Sequence, residues 1–221
     1  MKITKIQQQI KRKDRYSVYV DEKYLFSLSE YQLVASGLRL GQELTAEEVE
    51  NFAKESQFGK AYERSLNYVM IRPRSEKEIR DYLTRTFLYP KPKSYIDKAG
   101  QRHFIKQTVD TPQVSEMIER VMERLQEKGY INDESFALSW VTSRQIHKKP
   151  SQRKLEQELR VKGIKSEIIA TVLQKSDINE KDNLAELVTK KRRLTRYQDK
   201  SKLTHYLLRQ GFGYDDIKEV L

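Results

Sequence analysis

The sequence predicts a mainly all-α protein: three tandem three-helix repeats forming an elongated curved array, with a small N-terminal β-hairpin/α segment. Three observations predict it. One capped helix with the same apolar spacing recurs three times, two of those copies stay in register through a glycine turn into a further helix, and a pair of β-type stretches stands near the amino end.

At the amino end, Tyr16-Ser17-Val18-Tyr19-Val20 and Tyr24-Leu25-Phe26-Ser27-Leu28 are rich in aromatic and β-branched residues and are separated by Asp21-Glu22-Lys23. This is the pattern of a β-hairpin, with Ile3 to Gln8 as a third strand. Two strands alone are marginal in water, so the hairpin must pack on another element. Ser29 with Gln32, and Thr45 with Glu48, have capping-box spacing, so two short helices are expected next, the first stopped by Gly37.

Ser75, Ser151 and Asp199 each stand before a stretch with apolar residues four and eight positions on: Ile79 and Leu83, Leu155 and Leu159, Leu203 and Leu207. Each is a capped helix with one apolar stripe. Gly163-Ile164 and Gly211-Phe212 lie 48 apart, as do Ile169 and Ile217, Val172 and Val220, and Leu173 and Leu221, and Ala137 and Ala185 extend the offset upstream. A glycine just past a helix supplies the left-handed C′ position, after which an apolar residue folds back on the last turn. Each repeat therefore reads as helix, capped helix, glycine turn, helix.

In the first copy, Ser75 precedes Ser151 by 76 residues, whereas Ser115-Glu116-Met117-Ile118 precedes Ser166-Glu167-Ile168-Ile169 by 51. The difference is a 25-residue insertion near 89–112, where Pro90, Pro92, Gly100 and Pro112 oppose helix and a long loop, either mobile or functional, is expected. The expected divisions are 1–56 for the N-terminal segment, 57–130 for the first repeat with its insertion, 131–176 for the second and 177–221 for the third.

The net charge of +11 is placed unevenly. Residues 1–56 carry nine basic and nine acidic side chains, so the whole excess falls on 57–221, a distribution that attracts polyanions or an acidic partner. The absence of cysteine excludes disulfides, thiolate metal sites and a cysteine nucleophile, and it fits a reducing cytoplasm. No stretch approaches the roughly 18 apolar residues of a membrane span, and residues 1–9 lack an apolar signal core, so the expectation is a cytoplasmic protein without membrane contact.

Two basic clusters stand out. Arg144, Lys148, Lys149, Arg153 and Lys154 form one, and Lys190, Lys191, Arg192, Arg193, Arg196, Lys200 and Lys202 the other; Arg72, Arg74, Lys77 and Arg80 are a weaker third. Blocks of like charge repel and so point to a polyanion-binding surface, against the plainer role of a solvated face. Tyr82, Trp140, Tyr206 and Phe212 lie on or near the apolar stripes, where core packing outweighs base stacking. His103, His147 and His205 are too dispersed for an obvious ligand set. Asp133-Glu134 and Asp215-Asp216 stand where helices begin and the helix dipole favours negative charge. No phosphate loop or nucleophilic triad is recognisable, so no catalytic residue, metal site or cofactor is assigned.

Four segments carry a family resemblance: Ala61 through Arg74-Ser75-Glu76-Lys77-Glu78-Ile79, Tyr130-Ile131-Asn132-Asp133-Glu134-Ser135-Phe136-Ala137, Glu158-Leu159 through Lys162-Gly163-Ile164, and Gly211-Phe212-Gly213-Tyr214-Asp215. In order and spacing they resemble the RecX family, regulators of the RecA recombinase. The resemblance implies a non-enzymatic inhibitor that binds along the RecA–DNA filament and dampens ATP hydrolysis, strand exchange and co-protease activity. Its implied partners are the RecA filament and single-stranded DNA, with duplex DNA as a further candidate, and the chain acts as a monomer. The insertion near 89–112 departs from the family pattern. Two other classes remain open on the residues alone: a helix-turn-helix transcriptional regulator, which would work as a dimer on paired half-sites, and a metal-dependent nuclease.

Overall fold

The computed structural model describes residues 1–97, 100–105 and 109–221. It divides into two units, residues 1–72 with 79–130, and residues 73–78 with 131–221. The architecture is mainly helical, with ten α-helices among the described residues and a small strand segment at the amino end, the class expected from sequence.

The first unit opens with an antiparallel sheet in the order β1 (Ile3–Gln8), β2 (Arg15–Val20), β3 (Lys23–Ser29). The β2–β3 turn places Asp21 and Glu22 at φ +48° and +65°, a left-handed pair that side chains pay for in strain. Neighbouring groups hold it: the Lys2 amide donates to Asp21 Oδ1 at 2.9 Å and the Glu22 amide to Thr4 Oγ1 at 2.9 Å. Ile3, Val18, Val20, Phe26 and Leu28 bury one face together with Leu38 and Leu44. Arg15 is buried beneath the sheet, where its guanidinium donates to the Ser27 carbonyl at 2.8 Å and pairs with Glu63 at 3.2 Å.

Both expected capping boxes form, at Ser29 for α1 (Glu30–Ser36) and at Thr45 for α2 (Ala46–Ile71), and Gly37 closes α1 in the left-handed conformation. The second helix is not short: α2 runs 26 residues, through the expected division at 56. Nothing in the sequence breaks it before Pro73, and at Gly59 the Gln32 side-chain amide packs into the space a Cβ would take, 2.7 Å from that position. Phe52 of α2 packs on the sheet core, while its later turns, with buried Ala61 and Ser65, face α4 (Thr111–Glu127).

The helix α3 (Glu76–Leu83) continues into a π-helical turn at Thr84–Leu88. The insertion is a β-hairpin, β4 (Lys93–Ile96) and β5 (Arg102–Ile105), in place of an irregular loop; residues 98–99 and 106–108 lie outside those described. Pro112 does not interrupt helix but opens it, since α4 begins at Thr111 behind the Asp110 cap, four residues before Ser115.

The second unit holds α5 (Asp133–His147), α6 (Gln152–Val161) and α7 (Ser166–Lys175), followed by α8 (Glu180–Arg192), a 3-10 turn (Thr195–Tyr197), α9 (Lys200–Arg209) and α10 (Tyr214–Val220). Each trio encloses its own core, one around Leu155 and Leu159, the other around Leu203 and Leu207. Gly163 and Gly211 adopt φ +82° and +91°, and the amides of Ile164 and Phe212 reach back to Leu159 and Leu207 at 3.1 and 3.4 Å. The 48-residue offset does not extend upstream: Ala137 is buried but Ala185 is exposed, and Leu184 takes its place. The caps Asn132 and Asn179 are 47 apart, so one added residue enters before α9, where the 3-10 turn lies.

One joint is built twice within this unit. Ser75 Oγ donates to the Lys162 carbonyl at 2.7 Å, and Ser151 Oγ to the Gln210 carbonyl at 3.0 Å, so a helix-capping serine also satisfies a carbonyl at the glycine turn. The next amides, of Glu76 and Gln152, donate to Asp133 at 2.8 Å and Glu180 at 2.5 Å, the first residues of α5 and α8. The glycines are required for close approach as well as for backbone angle: a Cβ on Gly163 would lie 2.6 Å from Lys77 Cβ, and one on Gly211 would overlap Ser151 Oγ.

Candidate functional site

The joint between α6 and the α9–α10 turn leaves an open groove of about 650 Å³ on the second unit. From α6 it is lined by Arg153, Lys154 and Arg160, and from α9 by Arg209, with Phe212 at its floor. Glu156 is the one acid there, and it pairs with Arg160 at 2.6 Å, which leaves a strong cationic excess. Arg209 also borders a second hollow of about 430 Å³ with Arg196, Tyr197, Lys202 and His205. The two basic clusters, distant in sequence, thus join into one band through Arg209. They meet again where Lys148 and Lys149 stand beside Lys190 across a smaller hollow.

Sequence reasoning missed Arg160 and Arg209, and weighed His205 only as a metal ligand. A periodicity signal was present: Arg153 and Arg160 are seven apart on α6, and Lys202, His205 and Arg209 are spaced three, four and seven on α9, each set on one helical face. What sequence does not carry is the tertiary step that sets these two faces across one groove.

The sixteen predicted residues differ in surroundings. Arg144 is largely an internal group: its Nε donates to Glu158 at 2.7 Å and its guanidinium lies 4.3 Å from the Trp140 ring centroid, whose Nε1 donates to the same carboxylate at 2.9 Å. Lys149 pairs with Glu186 and has φ +48°, an unfavourable conformation for a residue before proline. Lys148 caps the C-terminus of α5, and Lys190, Lys191, Arg192 and Arg193 end α8, where the helix dipole favours cations. Lys191 lies 4.8 Å over the Tyr206 ring, Arg192 donates to the Leu221 carbonyl at 3.3 Å, and Arg196 stands 5.8 Å over Tyr197. Lys200 is exposed in the first turn of α9, and Lys202 is 4.0 Å from Asp199. Arg153 is exposed and Lys154 half-buried in the groove. The third cluster is divided: Arg72 and Arg80 fall in the first unit, with Arg80 paired to Glu119, while Arg74 and Lys77 fall in the second.

The aromatic candidates pack as expected. Phe212 is buried, Trp140 lies 5.8 Å from Phe136, Tyr206 5.1 Å from Tyr197 and Tyr82 4.3 Å from Tyr68. Asp133 and Glu134 occupy the first turn of α5 and Asp215 and Asp216 that of α10. Burial pushes the Asp133 carboxyl above its usual value, opposed by the Glu76 amide it accepts. His103 pairs with Asp97, His205 Nδ1 donates to the Ser201 carbonyl at 2.8 Å and His147 is exposed. No helix among the described residues is long and apolar enough to cross a membrane.

Comparison with known proteins yields one family throughout. Residues 1–45 match "Regulatory protein RecX N-terminal domain", and residues 61–86, 132–173 and 179–221 match the first, second and third three-helix domains of RecX. A regulatory protein RecX of Listeria monocytogenes serotype 4a is 30% identical over 100% of this chain and 96% of its own length. That of Listeria welshimeri is 29% identical over 99% and 74%, and that of Listeria innocua 32% identical over 80% and 58%, so the last match spans less than two thirds of its relative. A crystal structure of regulatory protein RecX superposes with a TM-score of 0.66 at 27% identity, covering 99% of this chain and 98% of that one. A RecX structure from Lactobacillus salivarius, at 21% identity and a TM-score of 0.51 over 74% and 93%, shares the fold.

Proposed function

The chain belongs to the RecX family, whose members are regulatory proteins, and from that premise we propose that it is a non-enzymatic inhibitor of the RecA recombinase. It binds along the RecA–DNA filament and dampens ATP hydrolysis, strand exchange and co-protease activity. The observation that carries this reading is the band on the second unit, where Arg153, Lys154, Arg160, Arg209 and Lys202 line connected hollows. An open cationic groove suits a repeating polyanionic target better than a small substrate, because each phosphate or acidic side chain adds one modest contact and the contacts multiply in avidity.

Occupancy is the proposed mechanism. Contacts spread over neighbouring filament protomers oppose the subunit motions of ATP turnover, and the bound chain obstructs entry of a second DNA or a cleavable repressor. The chain works as a cytoplasmic monomer without a cofactor, and single-stranded DNA is the nucleic acid it meets.

Cosedimentation with recombinase assembled on single-stranded DNA tests this reading. The protein should pellet with the filament, release as salt rises and slow ATP hydrolysis. Failure to pellet, with hydrolysis unchanged, refutes it; tight sequence-selective binding to bare duplex instead would favour a transcriptional regulator.

A further inference from the structure

We propose that the β4–β5 hairpin is a separate binding element for single-stranded nucleic acid, in which an unpaired base stacks on Phe104 and an adjacent phosphate is held by Arg102. This goes beyond the filament reading and rests on different residues, in the first unit.

In the antiparallel register Ser94 faces Phe104 and Ile96 faces Arg102, so these four residues share one face of the ribbon. That face is open: Phe104 is 66% and Ile96 63% exposed, and Ser94 and Arg102 are exposed as well. A two-stranded ribbon has little intrinsic stability, and placing a phenylalanine and an isoleucine in water on it is unfavourable unless a ligand covers them.

Charge identifies the ligand. Between residues 91 and 106 the sequence has Lys91, Lys93, Lys98, Arg102 and Lys106 against a single acid, Asp97. That acid is engaged within the hairpin, accepting the Gln101 amide on Oδ1 at 2.9 Å and meeting His103 Nε2 at 2.6 Å on Oδ2. A cation and a flat ring on the same face of a basic ribbon are the two parts of a stacking platform: phosphates track the charge while every base offers a π-face to the ring. Unpaired strands fit better than duplex, whose bases are already stacked and must be unstacked, at a cost of a few kcal/mol per step, before a ring can enter.

The test uses the full chain and short oligo-thymidine, without recombinase, so its outcome is separable from that of the filament reading. Phe104→Trp places a fluorophore on the face, and wild type, whose one tryptophan is Trp140, supplies the background. Oligonucleotide should quench the added fluorescence, a local readout that DNA held elsewhere does not mask. Phe104→Ala should weaken binding measured by anisotropy roughly five- to a hundredfold, and Arg102→Gln should flatten the salt dependence by about 0.7 in log–log slope. Phe104 is exposed, so neither variant should alter the far-ultraviolet spectrum. Absence of quenching with unchanged Phe104→Ala affinity overturns the proposal. So does duplex binding tighter than single-strand binding, or a Phe104→Ala variant that keeps oligonucleotide affinity but loses a protein partner.

Discussion

Gly211→Ala should destabilise the second unit by about 2–5 kcal/mol, and the reason lies in the twice-built joint. Gly211 has φ +91°, where a side chain costs roughly 1–2 kcal/mol. Its new Cβ would also overlap Ser151 Oγ and stand 3.0 Å from Lys154 Cβ and 3.1 Å from the Lys154 amide nitrogen. The backbone start of α6 cannot rotate away as a flexible side chain can, so overpacking adds about 1–3 kcal/mol. Gly129 provides the contrast: it too is left-handed, at φ +72°, but nothing lies within 4 Å of its Cβ position, so Gly129→Ala should cost only the backbone part, about 1–2 kcal/mol. Urea unfolding followed by circular dichroism gives the two values, and peptide-level hydrogen exchange should place the Gly211→Ala loss at the start of α6 and the α9–α10 turn. Equal destabilisation by both variants, or lost protection elsewhere, would refute the claim that close approach demands glycine at the joint.

Ser151→Ala removes a helix cap and the bond to the Gln210 carbonyl together, so it should cost about 1.5–3 kcal/mol in urea unfolding, more than an ordinary cap deletion of about 1 kcal/mol; a loss of about 1 kcal/mol or less would remove the carbonyl contact from the account. Asp133 has a raised pKa from burial, so the folded state binds its proton more tightly than the unfolded chain does. Stability from this group is therefore full below the ordinary aspartate range and declines as pH rises through the shifted value. Asp133→Asn keeps an oxygen for the Glu76 amide and should lack that decline, so wild type should lose ground to the variant as pH rises from below the ordinary aspartate value of about 3.9 towards neutrality; wild type gaining ground in paired urea titrations would contradict the burial argument.

Much of this organisation is written locally. Ser75, Ser151 and Asp199 announce helices because capping and a four-residue apolar period are short-range effects, and Ile79, Leu83, Leu155, Leu159, Leu203 and Leu207 are indeed buried. The glycine turns were legible for the same reason. The length of α2 was not, because the capping box at Thr45 marks only where the helix starts, and how far it runs depends on its packing against the sheet and α4. The β4–β5 hairpin was hidden by strands of four residues, too short for alternation to register. The two large basic clusters were visible as runs of charge, yet their union depends on Arg209, which is unremarkable in sequence and borders both hollows only when α6 packs beside the α9–α10 turn.

Filament ATP hydrolysis, titrated with wild type and with Arg153→Glu/Arg209→Glu, addresses the groove most directly. Both side chains are exposed, so the folded state should persist. The double variant should require at least tenfold more protein for half-inhibition at moderate salt, with a shallower salt dependence than wild type, as loss of two charge contacts implies. Undiminished inhibition by the charge-reversed protein would contradict the assignment of filament binding to this groove.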